Sequence, residues 1–190
     1  NDEELEKELD RMLEMLKKLE FEQKMQETQE KLEKLAEKQE ELSKDDKKTS
    51  EEKKAEQEKL NDEFEKVKED IEKLDKLDEE LGDKANMEDL KKEGEETSDE
   101  MEKASEQLEK SKESKASDSQ KAAAEKMKSM ASKMAAMNMK MQSKSMEEDM
   151  ASLRQLLENL IKLSFEEERL LDEFKITSAS FSAFDFGTKL

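Results

Sequence analysis

Histidine, cysteine, tyrosine and proline are all missing from this chain, and each absence narrows what it can be. Without His, Cys or Tyr, acid–base and nucleophilic chemistry falls to carboxylates, lysines and serines. Without Cys there is neither a disulfide nor a thiolate metal site, although cysteine-free proteins occupy both sides of membranes. Without Pro, and with Gly only at Gly82, Gly94 and Gly187, almost nothing interrupts a helix. β-Branched and aromatic residues are scarce before the C-terminal segment, which disfavours strands.

Arginine is nearly missing too, being confined to Arg11, Arg154 and Arg169, while the net charge is -19. Neutralising a phosphate backbone needs a basic face and reading bases favours Arg, so no nucleic-acid partner is expected. No apolar run approaches the eighteen or so residues of a spanning helix, and no signal peptide is visible. Because the sequence starts at Asn1 rather than Met, it is expected to be a piece of something longer, with any membrane tether outside it.

What is present is charge and heptad spacing. A hydrophobic fraction of 32% against a charged fraction of 48% leaves disorder and long helices as the two candidates. Spacing favours helix. Leu5, Leu9, Met12, Leu16 and Leu19 step by four and three, and after a shift of phase Phe21, Met25, Thr28, Leu32, Leu35, Gln39 and Leu42 do the same. Leu60, Phe64, Val67, Ile71, Leu74 and Leu81 form another such row, ending at Gly82. Between them Thr49 and Glu52 have the spacing of a capping box. Residues 1–81 are therefore read as acidic coiled-coil helices with a turn near 43–50. Residues 82–118 are read as a helix-breaking hinge, because Gly82, Asn86 with Asp89, Gly94, Thr97 with Glu100 and Ser117 with Gln120 all resemble stops or starts.

Residues 119–175 predict one long Ala/Met/Leu-rich helix. Its apolar residues fall at Met127, Met130, Met134, Met137 and Met141, then, after a second shift of phase, at Met146, Met150, Leu153, Leu157 and Leu160. That pattern is a packing seam. Soft-metal binding through Met137, Met139 and Met141 is the weaker reading, since on a helix Met139 faces away from the other two; an adaptable groove for a partner is the other alternative. Residues 176–190 change character and predict a non-helical Ser/Phe-rich tail, either disordered or docking on a partner through Phe181, Phe184 and Phe186. The expected architecture is all-α: two or three long helices folded into an antiparallel hairpin or bundle, with an all-parallel homodimer as the competitor.

Chemistry is hard to find. The carboxylates lie on faces that must be charged to stay in water, and no nucleophile elbow, phosphate loop or histidine metal motif occurs. Asp89, Gly94 and Glu100 occupy positions one, six and twelve of a calcium-loop pattern, but Lys91 puts an ammonium where an oxygen ligand is needed. No enzyme activity, catalytic residue, cofactor, metal or small-molecule substrate is expected.

The stretches EQLEKSKESKASDSQKAAAEKMKSMASKM and MEEDMASLRQLLENLIKLSFEEERLLDEF carry a resemblance. Between about Met101 and Phe174, and most in Leu153 to Gln155, Glu158 to Leu160 and Leu163 to Phe165, the chain resembles a Bacteroidetes-type family of large, uncharacterised bacterial envelope proteins with membrane helices near the N-terminus and long coiled coils. The resemblance implies a periplasm-facing segment, membrane-anchored through parts not in this chain, with no activity to transfer. The expectation is a scaffolding coiled coil that binds other protein subunits or itself; the alternative is a reversible lipid-surface protein, against which the acidic balance stands.

Overall fold

In a computed structural model the backbone is described for residues 2–82 and 87–187, and the side chains for residues 5–82 and 87–175. Four helices account for nearly all of it: α1 (Asp2–Lys44), α2 (Ser50–Leu81), α3 (Met87–Glu109) and α4 (Glu113–Gly187). They fall into two units, residues 1–140 and residues 141–190, with α4 contributing to both.

The first unit is an antiparallel four-helix bundle, and the cause is visible in each helix. Every one buries a row stepping by three and four: Phe21, Met25, Thr28, Leu32, Leu35 and Gln39 in α1; Leu60, Phe64, Val67, Ile71 and Leu74 in α2. The α3 row is Met87, Leu90, Gly94, Thr97, Met101, Ala104 and Leu108, and the α4 row is Ala116, Gln120, Ala123, Met127, Met130 and Met134. Cross-helix bonds fix the direction of each pairing. On α1 and α2, Lys31 meets Asp70 and Lys38 meets Glu63, each at 2.6 Å, while Lys17 meets Glu80 at 2.8 Å. On α2 and α3, Lys68 meets Glu95 at 3.0 Å and Asn61 donates to the Ser105 hydroxyl at 3.1 Å. On α3 and α4, Lys126 meets Glu96 at 2.6 Å and Lys133 meets Glu93 at 2.7 Å. α4 also returns to α1, where Lys128 pairs with Glu40 and the Ser117 hydroxyl donates to the Ser43 carbonyl at 2.7 Å.

The turns have local causes. Thr49 is extended, accepts the Glu52 N–H at 3.3 Å, and gives its own N–H to the Glu52 carboxylate at 2.8 Å, closing a capping box at the start of α2. Gly82 ends α2 at a φ of 67°, a left-handed conformation that lacks the side-chain clash of other residues. Just beyond the end of α3, Ser111 adopts a φ of 53° without being glycine. There the Lys112 N–H reaches the Gln107 carbonyl at 2.8 Å and the Ser111 N–H reaches Leu108 at 3.0 Å, the paired bonds of a Schellman motif.

Four helices stand where two or three were expected, and the difference lies at residues 82–118. Instead of a hinge, two reversals bracket α3, a helix of 23 residues that belongs to the core. Gly94 is no stop; it sits inside α3, where an added Cβ would rest 3.7 Å from Met130 and from Lys68. Thr97 is no cap either, since its hydroxyl bonds back to the Glu93 carbonyl at 2.7 Å. Nor does a helix start at Ser117: α4 begins at Glu113, and Ser117 and Gln120 spend their polar atoms on other helices. Asn86 lies outside the described residues. Polar and small residues on a buried row look like helix punctuation when read singly.

The second unit is the rest of α4. Its backbone is helical through Gly187. The side chains expected to dock, Phe181, Phe184 and Phe186, lie outside the described residues.

Candidate interaction surface

The methionine and leucine row proposed from spacing is divided by the structure. Met127, Met130 and Met134 are fully buried and fill the bundle core, with Met130 lying over Gly94 and its sulfur 3.7 Å from the Thr97 hydroxyl. Size is complementary here: small residues on α3 leave room that flexible Met side chains on α4 occupy. Met137 and Met141 are half-buried. Met150, Leu153, Leu157 and Leu160 are each more than half exposed, so the second part of the row is uncovered among the described residues.

That exposed part is wider than spacing alone indicated. Leu156, Ile161, Leu163, Leu170, Leu171 and Phe174 are also about half exposed or more, which extends the apolar face from Met146 to Phe174. α1 carries a second such face, since Leu5, Leu9, Met12 and Leu16 are each more than half exposed. It was legible as a heptad row, but its exposure was not, because spacing says that a face suits burial without saying what buries it.

A buried polar layer was also missed. Gln39 and Gln57 exchange amide bonds at 2.6 and 3.0 Å, and Gln120 donates to the Gln57 oxygen at 2.9 Å. Gln57 then donates to Asn61 at 3.0 Å. Three glutamines on three helices, all at most 1% exposed, satisfy one another within the bundle core. A polar residue recurring at the same level on the seams of α1, α2 and α4 is the sequence signal, and it acts on register, since sliding any of these three helices would strand an amide.

A groove of about 410 Å³ between α1 and α2 is lined by Lys31, Lys34, Lys38, Glu37, Glu41 and Glu63 over Leu35 and Val67. Lys31 and Lys38 are already held by Asp70 and Glu63. Asp89, Gly94 and Glu100 all lie within α3, where continuous helix replaces the loop that calcium would need. Among the described residues, no group of His, Cys, Asp and Glu could hold a metal, and no helix is long and apolar enough to cross a membrane. Hydrogen bonds from Lys128, then Lys44, hold the Glu40 carboxyl down at about 2 where α1 meets α4.

Comparison with protein-family models, with curated proteins and with solved structures finds no match to this chain.

Proposed function

We propose that this chain is a non-enzymatic scaffolding segment that binds protein through the exposed face of α4 between Met146 and Phe174. One observation carries the reading: a helix otherwise buried in a bundle continues into a Leu-rich face whose large side chains are about half exposed or more. Monomeric soluble proteins seldom leave so long an apolar stripe uncovered, and such stripes mark contact surfaces. The bundle, with its satisfied glutamine layer and ion-paired exterior, serves as a rigid support. The likeness of residues 101–174 to bacterial envelope proteins supplies the setting: a periplasm-facing scaffold whose membrane tether lies in segments outside this chain. A lipid surface suits the face less well, because acidic side chains outnumber basic ones along residues 146–175 and anionic lipids attract the opposite balance.

The test is a photoreactive side chain placed at Leu157 and, as a control, at Glu58 on the outer surface of α2, in cells making the full protein. Covalent adducts to protein from Leu157 and not from Glu58 are expected. Absence of any protein adduct from Leu157 would overturn the reading.

A further inference from the structure

We infer that the protein covering this face is a second copy of the chain, related by a two-fold axis, with the α4 segments antiparallel. The inference rests on the interaction reading above and names its partner.

The area is sufficient. Eleven large apolar side chains on the seam and its flanks between Met146 and Phe174 are exposed by 49–73%. Together they offer on the order of 1,000 Å², against about 800 Å² per partner in a standard specific interface. The described α1 face has fewer such residues, from Leu5 to Leu19.

The pattern is self-complementary. Met150, Leu157 and Leu171 alternate with Leu153, Leu160 and Phe174 along the seam, interrupted by Ser164 and Glu167. Leu156, Leu163 and Leu170 recur every seven residues on one flank; Arg154, Ile161, Glu168 and Lys175 recur on the other. When two such helices run antiparallel, seam residues interleave and each flank faces its own counterpart. In the register that sets Leu153 against Leu171 of the second copy, Met150 meets Phe174, an approach of thioether and ring that is favourable in itself. The apolar flank then brings Leu156 to Leu170, and Leu163 to its own copy. The other flank brings Arg154 to Glu168, Glu147 to Lys175, and Ile161 to its own copy. Like charges meet on neither flank. A parallel in-register pair would instead press Glu167 against Glu167 within the seam, where two carboxylates repel and lose water. In the antiparallel register Glu167 faces Leu157, and its stem can cover that side chain while the carboxylate reaches solvent.

The chain contains no Cys, so single introduced cysteines report contacts between copies without interference. In the full chain, solution mass is expected at twice 22.1 kDa, and at 22.1 kDa for L153E/L171E, with the thermal unfolding of the bundle unchanged between them. On oxidation, Ile161→Cys is expected to join covalently to itself and Met150→Cys alone to remain unlinked, while Met150→Cys mixed with Phe174→Cys joins. A wild-type chain that is monomeric overturns the inference, as does a dimer that survives L153E/L171E or one in which Met150→Cys joins to itself as readily as Ile161→Cys. A monomer that co-floats with anionic vesicles overturns it in favour of a lipid surface. A monomer whose Leu157 photo-adduct is a different protein overturns self-association while leaving the scaffolding reading in place.

Discussion

The two stretches of α4 obey the same spacing and meet opposite fates. From Ala116 to Met134 the row is made of Ala, Gln and Met and is buried; from Met146 to Phe174 it is dominated by Leu and is exposed. The more apolar stretch is the one left open. Burial on a helix is therefore decided by the geometry of available neighbours rather than by hydrophobicity alone. α4 can line the bundle with small and flexible side chains because α1 and α2 contribute Phe21, Phe64, Ile71 and Leu32, whereas the Leu-rich stretch has to find its own complement.

The sharpest way to break that comparison is to truncate one large side chain in each region. Phe64→Ala, in a residue 1% exposed, is expected to lower the bundle's unfolding free energy by about 3–5 kcal/mol through lost burial and a cavity. Leu157→Ala is expected to change it by less than about 0.5 kcal/mol in dilute solution, as at other exposed positions. Urea titration followed by circular dichroism reads both. A large loss in the Leu157 variant would mean that the exposed face is part of the bundle's own stability.

Next in size is the glutamine layer. Gln57→Ala leaves the Gln39 and Gln120 amides without their partner and is expected to cost about 1–3 kcal/mol, while replacing all three glutamines by Leu is expected to be near neutral or stabilising. Comparing the two by urea titration separates an unsatisfied amide from the worth of the layer. If the triple replacement lost as much as the single one, the layer would be a source of stability and not mainly of register.

At Gly94 the sign reverses. The space above it admits a methyl group at ordinary contact distance, so Gly94→Ala is expected to stabilise by about 1 kcal/mol through helix propensity and show a raised melting temperature. A lowered one would show that Met130 needs the missing Cβ.

The smallest effect is a pH dependence confined to the bundle. Because Glu40 is depressed from 4.5 to about 2, its bond to Lys128 contributes fully above the ordinary carboxylate range and is lost as pH falls through about 2. Glu96 is lowered by Lys126 and acts in the same direction. Bundle stability should therefore decline between about pH 4.5 and 2, and the decline should be shallower in Glu40→Gln. Equal slopes in the two proteins would place the acid sensitivity elsewhere.

Much of the fold was legible because three of the four helices advertise their seams with Phe, Leu, Ile, Val or Met at steps of three and four. α3 does not. Its row passes through Gly94, Thr97 and Ala104, residues too small or polar to register as apolar, so a core helix read as a hinge. Thr49 and Glu52 are informative because the residues around them carry no seam; Ser117 and Gln120 share the same chemistry but lie on one, and there their polar atoms bond across the bundle. At the candidate surface, Met150, Leu153, Leu157 and Leu160 were legible as a seam. Their separation from Met127, Met130 and Met134 was visible only as a shift of phase, since a period carries no information about where neighbouring helices end.

The most direct measurement is residue-resolved hydrogen exchange along α4 in the full chain, at low and at high protein concentration. Amides from Ala123 to Met134 should exchange as slowly as the bundle unfolds at both concentrations, while those from Met150 to Leu160 should exchange rapidly when dilute and slow as concentration rises. Uniform protection along α4 at every concentration, or rapid exchange at Met127 to Met134, would contradict the division of this helix into a core seam and a surface that a second chain must cover.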